Sequence, residues 1–136
     1  MVKPIMRDAF FLNQKSEEAT KVDLPVAQDL EDTLKANRER CVGMAANMIG
    51  YRKRIIIVAT GLADMVMINP VITEKSEPYD TEEGCLSLPG VRKTTRFQKI
   101  TVRYLDKKFA EHTQSFSGYI AQIIQHECDH LEGILI

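Results

Sequence analysis

His126-Glu127-Cys128-Asp129-His130, with Ser117-Gly118-Tyr119-Ile120-Ala121-Gln122-Ile123-Ile124-Gln125 before it and residues 131–136 after it, is the stretch on which the reading of the chain turns. Ile120, Ile123, Ile124 and Leu131 recur at helical spacing and predict a helix with one buried stripe. Ser117 suits its amino end, and Gly133 suits the left-handed residue that stops a helix. On that helix His126 and His130 lie one turn apart on one face, and Glu127 is rotated from His126 by about 100°. The division of labour suits metal-dependent hydrolysis: two neutral imidazoles hold the ion, the ion acidifies water, and the carboxylate takes the proton. Tyr119, Gln122 and Ile123 precede His126 by seven, four and three positions. They share the histidine face and are candidates for the wall of a substrate pocket, although ordinary core packing produces the same pattern.

Two imidazoles leave a metal site incomplete. A third histidine six residues after His130, as in one class of zinc proteases, would fall on Ile136, and a downstream glutamate needs more chain than residues 131–136 supply. The third ligand is therefore expected upstream. Cys85, in Glu83-Gly84-Cys85-Leu86-Ser87, is the best candidate, because a thiolate binds zinc and ferrous iron well and a His₂Cys set leaves a position open for water. Gly84 permits close backbone approach, and Pro89-Gly90 marks a turn. Cys128 points away from the histidine face, and both it and Cys41 read as small buried apolar side chains.

Glu83-Gly84-Cys85-Leu86-Ser87 followed by Gln125-His126-Glu127-Cys128-Asp129-His130 resembles the second and third signature motifs of the peptide deformylases. Cys41-Val42-Gly43-Met44-Ala45-Ala46-Asn47-Met48-Ile49-Gly50 resembles the first, and Met67-Ile68-Asn69-Pro70 and Arg92 extend the likeness over most of residues 24–135. The resemblance implies removal of the formyl group from the formyl-methionine that begins new polypeptides. It implies that Cys85, His126 and His130 bind one divalent ion, ferrous iron in the cell, with zinc, nickel or cobalt able to take the same ligands. Glu127 becomes the general base and acid, and the Leu86 backbone amide a donor to the oxyanion. Val42, Gly43 and Gly84 would offer backbone groups to an extended peptide in the manner of a strand added to a sheet edge. Met48, Arg92, Tyr119 and Ile123 complete the expected substrate-binding set.

One position departs from the family pattern. Where the family carries a glutamine whose amide donates to the formyl oxygen, this chain has Met48, with the register fixed by Ala45-Ala46 and Gly50 on either side. A thioether has no N–H to donate, and loss of one oxyanion donor typically costs about 10²–10³ in rate. Asn47 carries an amide, but on a shorter side chain that starts from a different backbone position. Cys41 stands in place of the family's first glycine. The chain is thus expected to be a slow deformylase-like hydrolase or one of altered specificity; the alternative is a catalytically impaired metal- and peptide-binding homologue. Glu127 favours catalysis, since a binding module needs no general base beside its metal. A generic zinc peptidase is disfavoured by the absent downstream ligand.

The 136 residues suffice for a single domain with one core. A net charge of −1 gives no broad attraction to nucleic acid, and Arg52-Lys53-Arg54 reads as a solvated turn. Met1-Val2-Lys3-Pro4 lacks the apolar core of a secretory signal, and no apolar run is long enough to cross a bilayer. The expectation is a cytoplasmic protein whose thiols stay reduced and whose partner is the formylated nascent polypeptide. Many bacterial deformylases continue into a further carboxy-terminal helix, so ribosome contact through such a tail is left open here.

An irregular amino-terminal stretch gives way to a helix over residues 24–37, with Pro25 in its first turn and Val26, Leu30 and Leu34 on one side. Ile55–Ala59 and residues 65–68 predict a hairpin about Thr60-Gly61, and Ile100, Val102 and Tyr104 predict a half-buried strand. Residues 74–83, charged and containing Pro78, read as a loop or sheet edge. Helix, strands and metal helix make an α+β domain, and the resemblance implies antiparallel β-sheets around a central HExxH helix.

Overall fold

Ile55-Ile56-Ile57-Val58 has no polar side because both faces of its strand are covered. The computed structural model describes residues 1–136. Strands β1 (Gly43–Ala45), β2 (Ile55–Ala59), β3 (Asp64–Cys85), β4 (Leu88–Leu105) and β5 (Glu111–Ser117) form one antiparallel sheet in sequence order. Helices α1 (Ala9–Leu12), α2 (Leu24–Ala36) and α3 (Gly118–Leu131) and two short 3-10 turns, Lys21–Asp23 and Ala46–Ile49, complete the elements. Side chains alternate along a strand, so Ile55 and Ile57 pack with Val26, Leu30 and Leu34 of α2. Ile56 and Val58 pack with Ile123, Ile124 and Leu131 of α3 on the other face. The α+β expectation holds, with one sheet between α2 and the metal-motif helix.

Helix α2 ends at Ala36 with Asn37 as its cap, within one residue of the predicted span. The hairpin also forms, with Ala59 opposite Asp64. Residues 74–83 are not a loop: they form part of β3 and pair with β4 from Glu74 opposite Thr101 to Glu83 opposite Arg92. Strand β2 pairs with β3 only as far as Ile68, so beyond that point β3 is a sheet edge. An edge tolerates Pro78, which has no N–H for a second neighbour, and a row of charges there discourages pairing with another chain. Strand β4 contains the predicted alternation, with Ile100, Val102 and Tyr104 buried, and runs back to Leu88. Strands β1 and β5 and helix α1 were not anticipated. β1 and α1 span three and four residues, too few for a period, and β5 has no buried residue to reveal one.

At the carboxyl end of α3, Gly133 adopts φ 75° and donates to His130 O, while Ile134 N donates to Asp129 O, both at 3.0 Å. This pair of bonds closes the helix. A Cβ on Gly133 would lie 2.6 Å from Asn13 O, so glycine is required by packing as well as by backbone conformation. Ser117 holds the cap position at the other end, but its side chain makes no capping bond. No helix is long and apolar enough to cross a membrane.

Candidate metal and peptide site

The β3–β4 turn carries Cys85 to the buried face of α3. Cys85 Sγ, His126 Nε2 and His130 Nε2 lie within 4.8 Å of one another, with Sγ 3.3 Å from His130 Nε2 and the two ring nitrogens 3.1 Å apart. The edges of a tetrahedral zinc site with ordinary bond lengths are about 3.4 Å for N···N and 3.6 Å for N···S. The donor set therefore fits a divalent ion in kind and in spacing. His126 Nδ1 donates to Glu83 Oε1 at 2.8 Å, which fixes the ring and leaves Nε2 to face the other donors. Burial acts to lower the His126 pKa, but its hydrogen bonds with Cys85 and Glu83 outweigh this and push it up to about 10. Burial and the charge on His126 push His130 down to about 3. Without metal, then, a proton on His126 faces a neutral His130, and a metal ion taking both nitrogens must displace it.

Glu83 is the centre of a buried network that the sequence did not announce. Arg96 donates to it through Nε at 3.0 Å and Nη2 at 2.7 Å, and through Nη1 to Asp129 at 2.6 Å. Gln122 Nε2 donates at 2.8 Å to Oε2, the oxygen that Arg96 Nε also reaches. Burial alone would raise Glu83, but hydrogen bonds from His126, Arg96 and Gln122 hold it down at about 2. One signal was available: carrying the alternation of Ile100, Val102 and Tyr104 back along β4 puts Arg96 on the inward face, and a buried cation needs partners. Asp129, inside the motif itself, is one of them. Gln125 brackets β4 further by accepting from Phe97 N at 2.9 Å and donating to Phe97 O at 2.8 Å.

Glu127 is 4 % exposed, and its Oε1 has no hydrogen-bond partner in the chain. Burial pushes its carboxyl up to about 7. Gly43, on β1, lies against it. A Cβ there would stand 2.6 Å from Ile123 Cγ2, 3.1 Å from Glu127 Oε2 and 3.2 Å from Ile57 O. Ile123 is β-branched and stiff, so it cannot turn aside cheaply. Gly43→Ala is expected to cost about 1–3 kcal/mol of stability by overpacking. Activity should fall further than that loss explains, because the added methyl also presses on Glu127 Oε2 at 3.1 Å. Denaturation midpoints and hydrolytic turnover measured together check this, and an unperturbed variant would contradict the close approach.

These groups open onto a cavity of about 510 Å³. Among the expected substrate-binding residues, Val42, Gly43, Met48, Gly84, Tyr119 and Ile123 line it, as do Leu86 and Gln122. Arg92 does not: its guanidinium folds back on the β3–β4 turn and donates to Pro89 O at 3.3 Å. Met48 is fully buried in the turn after β1, and its Sδ accepts from Ala45 N at 3.4 Å. Asn47 is no substitute donor, since its amide is directed to the helix side and donates to His130 O at 3.0 Å. Cys41 is half-buried, lines the cavity and donates to Gly43 O at 2.8 Å, and burial pushes its thiol up to about 12. Cys128 packs against the α3-side core, but like Cys41 it is half-buried and not fully buried as the sequence suggested. The amino-terminal stretch braces both walls, Met6 N donating to Met48 O at 2.7 Å and Arg7 Nη1 to Leu86 O at 2.9 Å.

Residues 3–136 match the polypeptide deformylase family. The chain is 60 % identical over 136 residues to a peptide deformylase of Clostridium beijerinckii, covering all of both chains. It is 39 % identical over 126 residues to one of Pelotomaculum thermopropionicum, covering 91 % of this chain and 81 % of that one. Its structure is similar to peptide deformylase from Thermotoga maritima, with a TM-score of 0.89 at 30 % identity over 99 % of this chain and 95 % of that one. It is similar also to an actinonin-bound class I type b peptide deformylase from Acinetobacter baumannii, with a TM-score of 0.88 at 34 % identity and the same two coverages. Likeness in sequence and in structure extends over nearly the whole length of both partners, and the chain belongs to the polypeptide deformylase family, metal-dependent hydrolases that remove N-formyl groups from nascent peptides.

Proposed function

We propose that this protein hydrolyses the formamide of formyl-methionyl peptides, releasing formate, at a rate held down by Met48. Glu127 is the observation that carries the reading: a buried carboxyl with an unpartnered oxygen beside three converging metal donors, at the wall of an open cavity. Cys85, His126 and His130 would hold the ion, ferrous iron in the cell, with zinc, nickel or cobalt able to use the same ligands. Such an ion supplies Lewis-acid polarisation of a carbonyl oxygen and lowers the pKa of water. Glu127 takes the proton from the attacking water and delivers it to the leaving amine nitrogen. The Leu86 amide donates to the oxygen on which charge develops. The peptide lies along β1, which pairs only with β2 and so has a free edge, with Gly43 and Gly84 lining the cavity beside it.

Met48 is the observation behind the second reading, a metal- and peptide-binding homologue without turnover. Anaerobic, iron-loaded protein is expected to release formate from formyl-Met-Ala-Ser, to lose this on chelation, and to regain it on adding Fe²⁺. Metal-loaded protein that binds the formylated peptide and releases no formate would establish the binding role instead. The reading places the protein in the cytoplasm as a single domain acting on nascent polypeptides, with no direct contact to nucleic acid.

A further inference from the structure

Gln122 belongs at once to the substrate cavity and to the network that orients a metal ligand. It stands one turn before His126 on α3 and lines the cavity, and its Nε2 donates to Glu83 Oε2 at 2.8 Å. The carboxylate's other oxygen accepts from His126 Nδ1 at 2.8 Å. Arg96 also holds Glu83, but from the β4 side, and does not reach the cavity. A path of two short hydrogen bonds therefore runs from the cavity wall to the imidazole. Gln122 is half-buried, and an unbranched side chain facing open space has several rotamers; only some keep the amide on Glu83.

We propose that Gln122 is a positioning residue through which the first side chain of the substrate sets the orientation of His126. A side chain seated in the cavity packs on the stem of Gln122, confines its amide to Glu83, and so stiffens the imidazole. A short first side chain leaves Gln122 free to swing. Preference for a long first residue then shows in turnover as well as in binding. This rests on the deformylase reading of the cavity.

The test compares wild type with Gln122→Leu, which keeps an apolar wall and removes the donor; Gln122→Met serves where leucine disturbs the helix. With iron-loaded protein, formyl-Met-Ala-Ser is expected to exceed formyl-Ala-Ala-Ser at least tenfold in kcat. In the variant that kcat ratio falls towards one while the KM ratio persists. An independent reading comes from cobalt-substituted protein, whose visible absorption reports ligand geometry. Unformylated Met-Ala-Ser shifts the band in wild type, Ala-Ala-Ser shifts it less, and the variant responds to both alike. Identical kcat ratios and identical spectral responses in wild type and variant overturn the proposal and leave Gln122 as wall. Absence of formate release from wild type, with the Gln122-dependent cobalt response intact, would count against the deformylase reading and in favour of the coupling.

Discussion

Glu127→Gln is expected to lower formate release by metal-loaded protein about 10²–10⁴-fold, the usual worth of a positioned general base. The substitution keeps the shape of the side chain and removes its ability to take a proton. In the metal-free chain burial pushes this carboxyl up to about 7, well above the ordinary carboxylate range and towards the basicity a proton acceptor needs near neutral pH. Metal content should not change, since the proposed ligands are Cys85, His126 and His130. A variant that binds metal and keeps its rate within tenfold of wild type would remove Glu127 from this role.

The same carboxyl makes a second readout that does not depend on turnover. Its folded pKa, about 7, lies above the ordinary 4.5, so between those values the metal-free folded chain retains a proton that the unfolded chain has released. Stability therefore falls as pH rises through that window. Metal-free Glu127→Gln lacks this penalty and should be the more stable protein above pH 7, by up to about 3 kcal/mol, with the gap closing below pH 4.5. Denaturant titrations at the two ends of the window check the sign.

Met48→Gln is expected to act in the opposite direction, raising kcat by about 10²–10³. Met48 is buried, lines the cavity, and uses its sulfur to accept from Ala45 N. Glutamine has nearly the same length. Its carbonyl oxygen can take over the Ala45 amide, which leaves its NH₂ group for the formyl oxygen. A second N–H without a partner in a buried site costs about 1–3 kcal/mol, so the faster variant should also be the less stable one. Rate and melting temperature measured together test both halves. An unchanged rate would mean that the metal centre and the Leu86 amide already meet the needs of the oxyanion.

The helix over residues 24–37, the Ile55–Ala59 hairpin and the Ile100–Val102–Tyr104 alternation were legible because each repeats a period long enough to count. The convergence of Cys85, His126 and His130 was legible for a related reason: four-residue spacing puts His126 and His130 on one face wherever the helix lies, and Cys85 followed from the ligand the motif lacked. The second half of β3 was half legible. Pro78 and the charges exclude a central strand, and whether they mark a loop or an edge depends on how far β2 extends beside them.

Local periodicity and side-chain chemistry, both properties of short stretches, thus determined the HExxH helix, the candidate donors Cys85, His126 and His130, and the thioether at Met48. The tertiary structure alone decided that Glu83 orients His126, that Arg96 and Asp129 anchor Glu83, that Asn47 faces His130 O, that Arg92 stays outside the cavity, and that Gly43 has no room for a methyl group. Each of these is a meeting of residues from different elements. Hydrogen-bond partners and close approaches across such distances are set by how the sheet packs on α3, which no period within either segment records.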